Sequence, residues 1–285
     1  MFRLPRKRSF ALVSAGAALA AVIAPVNATA APIRCQTPGH EAITVVLVHG
    51  AWADPSSWAS ELNALRRRGC AVRSADNPVQ DLITDSQRVA RFVGTIQGPV
   101  LLVGHSYGGS VITNAAADAH NVVGLVYVDA FAPDVGETAL ELNGETSALS
   151  TQPASQLFDE IPGEPEGTSE LLLKQSVFLR YFANDLPRAQ ALTLWASQTE
   201  ASTRAVTTPS RSAAWKTLPS WYFISTGDQI ITPQAEMMQA RRAHSRVTLF
   251  QGGSHLTLIS HPAAVTAVIG RALSTLLSQP KGGRA

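Results

Sequence analysis

Six short, nearly continuous apolar runs punctuate the chain, at residues 43–48, 70–75, 100–103, 122–128, 221–225 and 247–250. They are rich in Val, Ile and Leu and too short for helices. Runs of this kind predict strands buried on both faces. Helical spacing fills the gaps. Asp54 offers an N-cap with Pro55 at the first helical position, Trp58, Leu62 and Leu65 follow on one face, and Gly69 stops the helix after Arg66, Arg67 and Arg68. The arginines read as a solvated helix end favoured by the macrodipole. Residues 81–96, with Leu82, Val89, Phe92 and Val93 apolar, residues 107–118 and residues 262–277 predict three more helices. Strands alternating with helices in this way predict an α/β fold, a parallel sheet covered on both faces.

The rhythm stops at Phe131-Ala132-Pro133 and resumes at Trp221. Residues 134–218 therefore read as an insertion. Residues 152–169 carry Pro, Gly and Glu and predict a loop. Residues 171–182 and 187–198 predict helices, the second capped by Asn184-Asp185. A small helical insertion between two strands predicts a lid over the strand ends, where ligands of such sheets bind.

The N-terminus has a different pattern. Arg3, Arg6, Lys7 and Arg8 precede a charge-free stretch from Ser9 to Ile33. Its apolar part, residues 10–24, is shorter than the roughly 20 residues a membrane-spanning helix needs. Pro25 and Asn27 break it, and Ala28-Thr29-Ala30 follows. This predicts a cleavable signal peptide over residues 1–30, no membrane anchor after cleavage, and an exported chain, periplasmic or secreted. Residues 31–285 then form one domain. The formal charge of the full chain is +2, from 23 Lys+Arg and 21 Asp+Glu. Without residues 1–30 the balance is 19 against 21, so the apparent basicity belongs to the leader and no nucleic-acid footprint remains. Export also makes the only two cysteines, Cys35 and Cys70, a candidate disulfide, since Cys35 lies just before one strand, Cys70 opens the next, and both strand starts lie at the same sheet edge.

The candidate chemistry lies at strand ends. Gly104-His105-Ser106-Tyr107-Gly108 follows a buried run and opens a helix, which is the setting of a nucleophile elbow. A hydroxyl is a weak nucleophile and needs a neighbouring base. Of seven histidines, His255 sits on the loop after the last strand, at the same sheet edge as Ser106. His40, His49, His105, His120, His244 and His261 fit that place less well. The imidazole needs a carboxylate on its other nitrogen. Asp228, one strand–helix unit before His255, is favoured, and Asp129 at the end of an earlier strand is the competitor. Backbone N–H groups of Ala51 and Tyr107 are the expected oxyanion donors, with Trp52 a possible pocket wall.

On Leu47-Val48-His49-Gly50-Ala51-Trp52, Gly104-His105-Ser106-Tyr107-Gly108-Gly109, Ser225-Thr226-Gly227-Asp228 and Gly253-Ser254-His255, the chain resembles the α/β-hydrolase superfamily. The subgroup it resembles holds plant methylesterases, hydroxynitrile lyases and small bacterial esterases. The resemblance implies a mostly parallel eight-stranded sheet, a helical cap and the triad Ser106, Asp228 and His255, but no single substrate, because this fold hosts many chemistries; hydrolysis of a small carboxylic ester is the reading adopted. Leu256 stands where the lyases of the subgroup carry lysine, which favours ester hydrolysis over cyanohydrin cleavage. Amide cleavage, lactone opening and cofactor-free perhydrolysis use the same site, and a non-catalytic ligand-binding protein is the rival of a different class. No zinc spacing, phosphate loop or dinucleotide fingerprint occurs, so neither metal nor cofactor is expected.

Overall fold

The computed structural model describes residues 33–37 and 41–278. The expected leader, residues 1–30, and His40 lie outside them. Six strands, β1 (Thr44–Val48), β2 (Val72–Ala75), β3 (Val100–Ser106), β4 (Val122–Ala130), β8 (Ser220–Ser225) and β9 (Arg246–Phe250), form one sheet in the order β2-β1-β3-β4-β8-β9. Every pairing in it is parallel. β1, β3 and β8 are buried at every residue, which requires cover on both faces. Helix α1 (Ala59–Arg66) packs with the last helix, α5 (Pro262–Leu277), and α2 (Leu82–Gly94) packs with α3 (Tyr107–Asp118).

Local signals act as read. The Asp54 side chain accepts the Ser56 N–H ahead of Pro55, and Asp81 accepts the N–H groups of Ile83 and Thr84 at the start of α2. Gly69 ends the first helical segment at φ +77°. Among the described residues no helix is long and apolar enough to cross a membrane.

Three expectations need correcting. The main sheet has six strands among the described residues, not eight. Eight came from resemblance, whereas the apolar pattern itself offers six runs. Ahead of β1, the described residues 33–37 and 41–43 form no strand; the Ile43 N–H donates to Cys35 O, and a disulfide joins Cys35 to Cys70, with Cα atoms 5.2 Å apart. The insertion is also not mostly helical. It carries an antiparallel sheet of β5 (Phe158–Pro162), β6 (Ser169–Leu173) and β7 (Ala201–Ser202), beside one longer helix, α4 (Arg188–Ala196). β5 is largely exposed, so its acidic residues face water and hide the strand from a reading based on apolar runs. Leu171-Leu172-Leu173 is too short for its period to separate strand from helix. Asp185 does not cap α4, which begins after Pro187. It accepts the Ser260 hydroxyl instead, joining the insertion to the segment just after His255.

Candidate active site

β3 turns directly into α3 at Ser106, whose backbone is held at φ +52°, ψ −125°. A non-glycine residue is strained there and persists only where its surroundings enforce it. The enforcement is close packing. A Cβ at Gly104 would stand 2.5 Å from the Gly108 carbonyl oxygen, and one at Gly108 would stand 2.5 Å from that of Val48. Only glycine lets strand and helix cross this tightly. The same crowding brings the loop after β1 against the nucleophile: a Cβ at Gly50 would lie 2.7 Å from Ser106 Cβ.

Ser106, His255 and Asp228 meet at the C-terminal edge of the sheet and are all buried. Ser106 O–H donates to His255 Nε2 at 2.8 Å, and His255 Nδ1–H donates to Asp228 Oδ2 at 2.7 Å. The tautomer follows from the acceptor, because a carboxylate can only accept. Burial pushes His255 down to about 3, so its resting imidazole is neutral and Nε2 is free to take a proton. Burial pushes the Asp228 carboxyl up, opposed by the N–H groups of Ile230 and Ile231, which donate to Oδ1 at 2.7 and 3.1 Å.

The two residues expected to supply oxyanion N–H groups lie on the segments that adjoin Ser106. Tyr107 is the first residue of α3, so its N–H has no acceptor within the helix. Ala51 is buried in the loop that touches Ser106. Trp52, at φ +57°, stacks on Phe158, meets Phe182 edge-on, and donates its indole N–H to Leu171 O of β6 at 2.9 Å. Phe182 in turn lies 5.0 Å from the His255 ring. A cleft lined by Trp52, Phe178, Phe182, Leu194, Leu256 and Ile259 opens beside this wall, with Asp54, Ser56 and Ser57 at its polar side.

Among the described residues no other histidine is hydrogen-bonded to Ser106 or Asp228. His49 and His105 are buried, whereas His120 and His244 are exposed. His261 lies 3.6 Å from Asp185. His105 has a part that spacing did not reveal: its Nε2–H donates to the His255 carbonyl at 2.8 Å. Its place inside the elbow was the available signal. A second unread contact is the Tyr107 hydroxyl, which donates to Asp85 Oδ2 at 2.8 Å and so anchors the elbow to α2. Burial raises Asp85 to about 6.

Asp129 is not the carboxylate bonded to His255. It accepts the Ser225 N–H at 2.7 Å and lies behind Asp228, with Glu236 completing a buried carboxyl group of three whose oxygens lie within 4.8 Å of one another. Among the described residues this is the one cluster spaced for a metal ion.

The model of the "Alpha/beta hydrolase family" matches residues 45–268. The chain belongs to that family. It is similar to the carbendazim hydrolyzing esterase of Nocardioides sp. (strain SG-4G), at 34% identity over 110 residues. That match covers 34% of this chain and 46% of the relative, so it spans just under half of the relative's length. It is also similar to the alpha/beta hydrolase nvfD of Aspergillus novofumigatus (strain IBT 16806), at 26% identity over 80% of this chain and 95% of the relative. Among solved structures, polyneuridine aldehyde esterase superposes with a TM-score of 0.68 at 15% identity, covering 82% of this chain and 98% of that one. This last likeness speaks to the fold alone.

Proposed function

We propose that the protein is an exported serine hydrolase that cleaves small carboxylic esters. One observation carries this reading: Ser106 Oγ, His255 and Asp228 stand in line at 2.8 and 2.7 Å, with a neutral imidazole between the two oxygens. The family match and the partial likeness to an esterase support it. The apolar cleft beside Trp52 and Phe182 suits an apolar acyl or alcohol group.

The reaction follows from the donors and acceptors present. Ser106 Oγ attacks the ester carbonyl while His255 Nε2 takes its proton. The negative oxygen of the tetrahedral intermediate accepts the N–H groups of Ala51 and Tyr107, each such donor contributing about 3–4 kcal/mol to the transition state. Asp228 holds the imidazolium. As the intermediate collapses, the carbon–alkoxy bond breaks and His255 returns the proton to the departing alcohol. Water, deprotonated by the same nitrogen, then attacks the acyl-enzyme and releases the acid, and the proton goes back to Ser106.

Export is supported by the basic start, the short apolar run and Ala28-Thr29-Ala30, and by the Cys35–Cys70 disulfide, which suits an oxidising compartment. N-terminal sequencing of the mature protein, with cleavage after Ala30 as the expected result, checks this part. The activity is checked with p-nitrophenyl acetate and butyrate. The wild type is expected to turn both over and Ser106→Ala to lose turnover. Wild-type activity in Ser106→Ala refutes the reading.

A further inference from the structure

Behind the Asp228–His255 pair runs a row of hydroxyl and carboxyl oxygens whose hydrogens can be counted. Asp129 Oδ2 lies 3.0 Å from Ser225 Oγ. Ser225 Oγ lies 2.7 Å from Thr257 Oγ1, and Thr257 Oγ1 lies 2.6 Å from Ser254 O. These are three hydrogen-bond contacts in series, ending on a carbonyl that can only accept. The two hydroxyls supply two hydrogens. Thr257 must spend its hydrogen on Ser254 O, and Ser225 then spends its own on Thr257. The contact between Asp129 and Ser225 is left without a hydrogen unless the carboxyl brings one.

We propose that Asp129 is held as a neutral carboxylic acid whose O–H heads a relay, Asp129 to Ser225 to Thr257 to the Ser254 carbonyl, and that it is thereby a positioning residue for the loop that carries His255. The inference rests on the reading of His255 as the base.

Four further observations agree with it. First, Asp129 is bulged out of β4: His105 pairs with Val128 and Ser106 with Ala130, so Asp129 is skipped, at φ +43°. A bulge with a strained residue is a device for aiming one side chain, and here the side chain reaches Ser225. Second, the relay presses on the His255 loop. A Cβ at Gly253, two residues before His255, would meet Thr257 Oγ1 at 2.5 Å and Ser225 Oγ at 3.1 Å. Third, the neighbouring carboxyls divide by their donors. Asp228 accepts three N–H groups, from Ile230, Ile231 and His255. Glu236 is fully buried and both its oxygens lack a partner. Asp228 is therefore the best place in the cluster for the one negative charge the chemistry needs.

The fourth observation is electrostatic. The titratable groups facing Asp129 are Asp228, Glu236, Tyr222 and, in the insertion, Asp185. None is a cation. Arg242, on the same helix as Glu236, is committed to Glu137 and Ala132 O. Burial first, and the charge of Asp228 second, push the Asp129 carboxyl well above the usual range. A cation instead of a proton would need entry to a site in which all three carboxyl residues are sealed from solvent.

The direct test is NMR of the wild-type protein, 13C-labelled at aspartate carboxyls, at about pH 8, where Asp85 is ionised. One aspartate is expected to keep the chemical shift of a protonated acid, and that signal is expected to vanish in Asp129→Asn. If every aspartate has the shift of a carboxylate, the proposal is overturned whatever the enzyme's activity. Activity provides the second arm. Asp129→Asn keeps a donor facing Ser225 and changes no charge, so the pH profile of kcat/KM stays in place. Thr257→Val is expected to lower kcat about tenfold with KM unchanged, and Thr257→Ser to restore it. A displaced acid limb in Asp129→Asn, or no loss in Thr257→Val, contradicts the relay. Failure of every variant and the wild type to hydrolyse esters, with the protonated aspartate still present, refutes the proposed activity and leaves the protonation standing.

Discussion

The C-terminal edge of the main sheet and the insertion that follows β4 meet over the same few residues, yet they are built differently. At the sheet edge each functional side chain is sealed and held by several fixed partners. Asp228 accepts two backbone amides besides His255, the His255 carbonyl accepts His105, and Ser106 is locked by glycine packing. The insertion rests on separate hooks. Trp52 donates to Leu171 O, Gln80 to Glu170, Arg204 to Asp81, and Ser260 to Asp185. Its outer strand β5 is mostly in water. Under the proposed function the contrast divides the labour: the sheet edge would set the chemistry, and the insertion, closed over a buried Ser106, would set what reaches it.

The sharpest way to break this division lies among the carboxylates of the sheet edge. Asp228→Asn leaves an amide where Nδ1–H needs an acceptor, favours the wrong tautomer, and is expected to lower kcat about 10⁴-fold. Asp129→Asn, a few ångströms away, is expected to stay within about threefold of wild type. Comparing kcat for the two variants on one ester measures the difference. Equal losses would erase the distinction between the orienting acid and the one behind it.

The next effect separates edge from lid. Trp52→Phe keeps the ring but removes the N–H to Leu171 O, a bond of about 1 kcal/mol, so KM is expected to change by roughly fivefold while kcat holds. Steady-state kinetics on p-nitrophenyl butyrate read this split. A loss confined to kcat would place Trp52 with the chemistry instead.

Acid titrates the sheet edge. His255 is lowered from 6.5 to about 3 by burial, and its neutral form is the one the proposed mechanism uses. Activity is therefore expected to persist as pH falls through 6.5. Its folded pKa lies below the unfolded value, so the unfolded state binds the extra proton. Stability from neutral His255 is present above 6.5 and drains away as pH falls from there toward 3. Thermal melts and kcat/KM between about pH 4 and 8 check both signs. Glu61, buried in α1 without a partner for either oxygen, behaves oppositely, since burial raises it from 4.5 to about 8. Its contribution is present below 4.5 and lost as pH rises through 8. Glu61→Gln is expected to raise Tm by a few degrees at about pH 9 and by less at pH 6.

The same division governs what could be read in advance. The meeting of Ser106, His255 and Asp228 at the strand ends was legible because the apolar runs and the glycines around Ser106 depend on local rules and the chain order places all three loops at one sheet edge. His105, Asp85 and the neighbourhood of Asp129 were not legible, because their partners lie far along the chain: 150 residues separate His105 from His255, and 96 separate Asp129 from Ser225. β5 and β6 were misread for a third reason. Phe158-Asp159-Glu160-Ile161-Pro162 has too few buried positions to register as a strand, and only pairing with Ser169–Leu173 makes it one.

The central claim is that Ser106 is the activated nucleophile, and covalent labelling tests it most directly. The protein is treated with a fluorophosphonate at neutral pH and its peptides are read by mass spectrometry. The expected result is one phosphonate adduct, on Ser106, formed quickly by the wild type, slowly by Asp228→Asn, and not by His255→Ala. An unmodified Ser106 in a folded, disulfide-intact protein, or an adduct at another residue that accounts for the loss of esterase activity, would contradict it.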